Sequence, residues 1–448
     1  MRKGLLGGLL LLLLFPVMAS ETGVLTLDRD TSLSLALENN SDLLDQALAL
    51  ETVRRSSDSS WNLYLPSIRA SLGLTGSADI SGSGSSTSSR LTPGLSLSYT
   101  VTPGLRESVE QLRLNLESSE ISYQAVRLQL LQKVEAEFYY LLTAGSNLEI
   151  QKKNIELADR QVEQTQAKFA NGLVSELAVL QARVNAANLV PAYSSLESAY
   201  QNRLKEFLVV LGVDPMTGVE LSGSLETGSM DLDAETLIAR YLENRTDIRT
   251  QRKQVEILES TLAQTRKAGT LPSLSLSASF SDSVSDPLTA AGWQDYSPSV
   301  SASLSASLSL SLDSYIRGSS TDLSIRRIED SLSRAELALD QLVQSARLEI
   351  INLTDSLQTD RENLDLSRLN LELSETSYRM TEESFDRGRS DRITLDDAQQ
   401  DLLTSRQNLL ESQYEYMNDL ITLRTALGLE SLEGLTGGAS GTDKGDKE

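Results

Sequence analysis

Ser299-Val300-Ser301-Ala302-Ser303-Leu304-Ser305-Ala306-Ser307-Leu308-Ser309-Leu310-Ser311-Leu312 alternates without interruption between a hydroxyl and an apolar side chain. Successive residues of an extended strand point to opposite faces, so this stretch builds one face of serines and one of aliphatics. Shorter versions stand at Ile68, Ala70, Leu72, Leu74, at Leu95, Leu97, Tyr99, Val101, and at Leu274, Leu276, Ala278, Phe280. The pattern predicts strands over about 67–76, 93–102, 273–281 and 298–312. A soluble sandwich would alternate in the same way. Strands of about ten residues are the length of a tilted membrane strand, and here nothing competes with them as a core. The joining segments 76–91 and 281–297, rich in Ser, Gly, Asp and Thr, read as exposed outer loops. Four strands cannot close a water-filled barrel, and lipid does not tolerate open edges, so membrane strands require oligomerisation. Three copies would supply twelve strands, enough for a wide pore.

Outward from the strands, the period changes. Val134, Leu141, Leu148, Ile155, Val162 and Phe169 step by seven, and so do Ile350, Leu357, Leu364, Leu371, Tyr378 and Phe385. A sustained seven-residue apolar spacing keeps one stripe against a partner helix. Each series ends in a Gly turn, at Gly172 and Gly388, and a second ladder follows: Val179, Ala186, Tyr193, Tyr200, Phe207 after the first, Leu395, Leu402, Leu409, Tyr416, Leu423 after the second. Gly closing two such ladders predicts antiparallel helical hairpins. Pro191 predicts a kink or break in the first return helix.

The two halves also match in short motifs. Leu37-Glu38-Asn39-Asn40-Ser41-Asp42-Leu43 parallels Leu242-Glu243-Asn244-Arg245-Thr246-Asp247-Ile248, and Leu65-Pro66-Ser67 parallels Leu271-Pro272-Ser273. The organisation is therefore read as repeat one over 20–212 with a tip at 169–176, a linker at 213–231, repeat two over 232–429 with a tip at 385–392, and a disordered acidic tail at 430–448. Residues 1–19 read as a signal peptide: Arg2 and Lys3, an apolar run from Gly4 to Val17, and small residues before a cut after Ala19. The run is short for a membrane anchor.

The totals narrow function. Among 448 residues there is no Cys and no His, which removes thiol and Ser-His nucleophiles, imidazole or thiolate metal sites and disulfides. A net charge of -23 argues against nucleic acid. Paired carboxylates are plentiful, but an acidic helical chain acquires them by chance, and no converging pair suggests a hydrolase. The expectation is no enzyme, no cofactor and no metal. A structural coiled coil of the periplasm or cell surface remains the rival to a channel.

The two tips, Phe169-Ala170-Asn171-Gly172-Leu173-Val174-Ser175-Glu176-Leu177 and Phe385-Asp386-Arg387-Gly388-Arg389-Ser390-Asp391-Arg392-Ile393, together with the twin Leu-Pro-Ser joints, resemble the outer-membrane efflux proteins, the TolC-like family. The resemblance runs from about Leu25 to Leu429. It implies a fold that is mainly α with a membrane β-barrel contribution: long antiparallel coiled-coil hairpins plus four β-strands per protomer in two structural repeats. It implies a homotrimer whose twelve-stranded barrel crosses outer-membrane lipid and continues as an α-helical periplasmic tunnel. It implies a periplasmic adaptor protein, an inner-membrane pump of the RND or ABC type, and service as a drug exit duct or, alternatively, in type I protein secretion. By carry-over, Gly172, Leu173, Gly388 and Arg389 stand at the adaptor contact, and Asp397 lines the aperture. The family's second aperture acid is replaced by Thr394, its tip Arg by Ser390, and Asp396 could add charge.

Overall fold

The computed structural model describes residues 25–81, 84–225, 232–288, 293, 297, 298 and 300–431. The predicted leader, most of the acidic tail and part of the linker lie outside them. In chain order the principal elements are β1 (Leu25–Leu27), α1 (Arg29–Asn39), α2 (Ser41–Asp58), β2 (Ser67–Ser81), β3 (Gly84–Val101), α3 (Leu105–Ala170) and α4 (Glu176–Val210). They continue as β4 (Val219–Leu221), α5 (Ala234–Tyr241), α6 (Thr246–Thr270), β5 (Ser273–Ser281), β6 (Val284–Ser285), β7 (Ser301–Ser309), α7 (Ser320–Asp386) and α8 (Arg392–Ala426). Among the described residues no helix is long and apolar enough to cross a membrane. The chain divides into two compact units.

One unit comprises the described residues within 25–40, 133–225 and 360–418. The seven-residue ladders supply its core where they are best buried: Val134 and Leu141 are fully buried, with Leu364, Leu402 and Phe207 nearly so. Removing a fully buried aliphatic or Phe from water is worth about 1.5–3 kcal/mol. The α7 and α8 segments run antiparallel and are cross-linked by Ser367 to Ser412 at 2.9 Å and Ser374 to Ser405 at 2.8 Å, again seven residues apart. Between α3 and α4, Arg203 grips Glu137 with two nitrogens and lies 5.5 Å from the Tyr140 ring. The fully buried Glu135 is matched by the Arg29 guanidinium. Burying a lone carboxylate would cost several kcal/mol, so Arg29 sets where α1 docks.

Helix α4 runs through Pro191 without a break, so of the expected kink or break the break does not occur. Proline deletes one amide donor, and the flanking turns keep theirs. The sequence reading also missed β1 and β4, which pair in parallel from Leu25↔Val219 to Leu27↔Leu221. Gly212 ends α4 at φ 71°, and a Cβ placed there would meet the Asn39 backbone oxygen at 2.6 Å.

The second unit comprises the described residues within 41–132, 232–359 and 419–431. Its helical core gathers Leu114, Ile121, Leu128, Leu131, Ile248, Ile350, Ile421 and Leu423. Polar contacts fix the helix faces: Gln111 donates to Thr261 at 3.2 Å and Gln264 at 3.0 Å, and Lys253 pairs with Glu117 at 2.9 Å. In the Arg245-Thr246-Asp247 motif, the buried Arg245 guanidinium holds Asp247 at 2.8 Å and Glu349 at 2.7 Å.

The same unit carries an antiparallel sheet in the order β2-β3-β5-β7, with β6 beside β3. The β2–β3 ladder extends from Ser67↔Ser98 to Ser81↔Gly84, so much of the expected loop 76–91 is strand. Ser, Thr and Gly all accept extended backbone, and a ladder needs only main-chain donors and acceptors. At the other end β7 stops at Ser309, because Leu312 already precedes a 3₁₀ turn over Asp313–Tyr315.

Candidate functional site

Register decides what the sheet presents. Ile68↔Leu97, Leu95↔Phe280, Leu274↔Leu308 and Ala278↔Leu304 align apolar with apolar, and Ser67↔Ser98, Ser98↔Ser277 and Ser277↔Ser305 align hydroxyl with hydroxyl across all four strands. The hydroxyls bond to one another: Ser67 to Ser98 at 2.6 Å, Ser277 to Ser305 and Ser279 to Ser303 at 2.7 Å, and Ser273 to Ser309 at 2.8 Å. The aliphatic face is bare, with Leu304 85%, Ile68 72% and Leu72 71% exposed. A patch of this kind in water would be strongly unfavourable, which marks it as a surface for apolar surroundings.

The helical tips share a local geometry. At the first, the Gly172 amide donates to the Phe169 carbonyl at 2.8 Å and the Leu173 amide to Lys168 at 2.9 Å, with Gly172 at φ 72°. At the second, the Gly388 amide donates to Phe385 at 2.9 Å and the Arg389 amide to Ser384 at 2.8 Å, with Gly388 at φ 67°. Both are left-handed helix stops in which two amides reach back to the last turn. The residue that caps the next helix stands three residues after each Gly: Ser175 accepts the Ala178 amide at 3.3 Å, and Asp391 accepts the Thr394 amide at 2.9 Å. Gly172, Leu173, Gly388 and Arg389 are all exposed. Lys168 of one hairpin lies 4.6 Å from the Phe385 ring of the other.

The predicted aperture residues stand on the first turns of α8 but differ in their engagements. The Thr394 hydroxyl donates to Asp391 at 2.6 Å, so it belongs to the helix cap. That hydroxyl, and then the Thr394 amide, hold the Asp391 carboxyl below the usual aspartate range. Asp396 is half-buried and accepts from Gln161 at 2.9 Å. Asp397 is exposed. Sequence reasoning missed Asp391, whose signal was the capping pattern of an acid three residues before Thr394. It also missed the amide rungs between α3 and α8: Gln161 to Asp396, Gln399 to Asn154 at 3.3 Å and Gln407 to Asn147 at 3.0 Å. Asn147, Asn154 and Gln161 step by seven, which is the one trace the rungs leave in sequence. Among the described residues no cluster of three acids is arranged to hold a metal ion.

A sheet with one aliphatic face and one hydroxyl face, carried by a chain of long capped hairpins, is an arrangement that suits an outer-membrane channel protein. The outer membrane efflux protein family model matches residues 32–213 and 237–429, and the chain belongs to that family. Its fold is similar to that of the Campylobacter jejuni outer membrane channel CmeC, at 20% identity and TM-score 0.75 over 89% of this chain and 85% of that one. The outer membrane protein VceC of Vibrio cholerae matches at 17% identity and TM-score 0.71, over 89% and 96% of the two chains. The open-state Neisseria gonorrhoeae MtrE channel matches at 17% identity and TM-score 0.72, over 90% and 89%. No curated protein matches the chain.

Proposed function

We propose that this protein is the exit duct of a tripartite export system, a passive conduit taking small molecules from an inner-membrane pump across periplasm and outer membrane. The two-faced sheet carries the reading: its exposed aliphatic face suits lipid and its hydroxyl face suits water. Strands β2 and β7 leave the two sheet edges without a strand partner among the described residues. Lipid forbids such edges, and three chains joined edge to edge form a twelve-stranded closed barrel. In that homotrimer the helical part lies in the periplasm, reached by way of the predicted leader, and the tips at Gly172, Leu173, Gly388 and Arg389 meet a periplasmic adaptor. Asp397 contributes one carboxylate per chain to the aperture, while Gln161 holds Asp396 back from it. Like charges brought to a narrow axis attract cations.

The absence of Cys makes the test clean. Arg389→Cys, crosslinked in intact cells, should capture a periplasmic adaptor. A drug-pump adaptor supports the reading, a secretion adaptor reassigns the duct to type I protein export, and capture of neither refutes the docking role. A chain recovered from the soluble fraction without detergent would refute the duct altogether.

A further inference from the structure

The hydroxyl face is interrupted by cations. Strands β5 and β7 contain no charged residue, and the only bases in β2 and β3 are Arg69 and Arg90. Both are exposed, and neither makes an ion pair with a described residue. Arg69 aligns with Ser96, which aligns with Ser279 and then Ser303, so its row across the four strands is otherwise hydroxyl. Arg90 aligns with Thr75, six residues along β2 from Arg69, or roughly 20 Å at the rise of a strand. Asp286 lies near that second row, accepting the Ser89 amide at 2.9 Å, and leaves Arg69 as the cleaner charge. Asp79, the one acid in β2 and β3, is ten residues from Arg69, roughly 33 Å along the strand. In a chain of net charge -23, Arg69 is a cation set in a row of hydroxyls, with Asp286 beside the Arg90 row and Asp79 ten residues away, so the local sign is positive around Arg69.

We propose that this face is an anion-collecting surface, with Arg69 and, secondarily, Arg90 as its specificity-determining residues, so that the solutes it favours carry a negatively charged group. The inference rests on the reading above that the hydroxyl face lines water and the aliphatic face meets lipid. Hydroxyls solvate a passing solute without regard to sign, so within its row Arg69 is the group that discriminates. In the trimer each arginine row becomes a ring of three positive charges. Those rings are distinct from the acids at the helical tips.

The test uses the full chain in outer-membrane vesicles, with Ser71→Cys two residues from Arg69 on the same face. Thiol-reactive methanethiosulfonates bearing a sulfonate or a trimethylammonium group are compared, each normalised to its rate with a free thiol. A unit charge about 7 Å away, partly screened, favours the anionic reagent by about three- to sevenfold. Arg69→Ser with Arg90→Ser should bring the ratio to about one, and Arg69→Lys should retain it. A ratio indifferent to the arginines overturns the proposal. Should the double variant fail to assemble, raising salt to about 1 M on the arginine-bearing chain must collapse the ratio, and a salt-independent ratio overturns the proposal equally. Leu72→Cys, on the other face, tests the underlying reading: modification there but not at Ser71→Cys would remove the assignment of faces, and the proposal with it.

Discussion

Exchanging neighbouring residues of β7 for arginine separates a lipid surface from a water surface within one strand. Leu304 stands near the middle of Ser301–Ser309, is 85% exposed and aligns with Ala278. Ser303 precedes it, faces the other way and bonds to the Ser279 hydroxyl at 2.7 Å. An arginine facing lipid near the bilayer midplane costs about 2–4 kcal/mol, falling to about 0–1 near the interfaces. Leu304→Arg should therefore shift the assembly equilibrium on the order of 30- to 900-fold per chain, and roughly three times that free energy falls on a trimer if the sites are independent. Ser303→Arg forfeits one exposed hydroxyl bond, about 0.5–1.5 kcal/mol or less, and places its charge in water. Were both faces solvated, Leu304→Arg would change stability by less than about 0.5 kcal/mol. The assay is the fraction of chain migrating as oligomer on semi-native gels across a temperature series, with yield in the outer-membrane fraction beside it. Equal melting of the two variants, or greater loss in Ser303→Arg, would refute the assignment of faces.

Gly212→Ala should cost about 3 kcal/mol or more, since a left-handed residue carries about 1–2 kcal/mol of strain and its Cβ would strike the Asn39 backbone at 2.6 Å. Gly172→Ala, with nothing within 4 Å of its Cβ, should cost only the strain term, and thermal melts of the two variants compare them directly. Arg29→Ala removes the guanidinium bound to the buried Glu135 and should destabilise by about 1.5–3 kcal/mol, read by chemical denaturation of the detergent-solubilised chain. Burial pushes the Asp247 carboxyl up, but the Arg245 hydrogen bond and charge, with the Ile248 amide, outweigh it and hold it below the ordinary 3.8. The native chain therefore binds fewer protons there than the unfolded one, so this stabilisation is complete above the ordinary value and lost as pH falls through the native one. Asp247→Asn should accordingly show a flatter melting temperature between about pH 5 and 2 than the native sequence. Asp397→Asn should raise single-channel conductance and weaken block by divalent cations, and unchanged values would remove Asp397 from the aperture.

Local periodicity was legible because it is enforced residue by residue. A spacing of seven that buries Val134, Leu141, Ile350, Leu357 and Leu364 is visible without knowing the partner helix, since any partner accepts the same stripe. Alternation in β7 and β5 similarly declared two faces before their neighbours were known. The capped tips were legible in part: Gly172 and Gly388 announced the turns, whereas the bonds that tie Thr394 to Asp391 and Asp396 to Gln161 were not seen. The first is local and was missed as a capping pattern. The second joins residues 235 positions apart, and no short-range rule reaches that far.

The amino-acid sequence by itself determined the elements of this protein: helices long enough to carry seven-residue ladders, glycine stops, strands with a serine face and an aliphatic face, and a composition without Cys or His. Tertiary structure alone decided the pairings. The three-residue strands β1 and β4 are too short to carry a period and exist because parallel pairing satisfies their amides. Arg29 meets Glu135 across 106 positions because a buried carboxylate must find a cation wherever the chain can bring one. The β2–β3 ladder runs on through residues that read as loop because backbone hydrogen bonding ignores side-chain composition. Side-chain pattern acts locally and survives in sequence, whereas the satisfaction of buried charge and main-chain polarity is a condition on the folded whole.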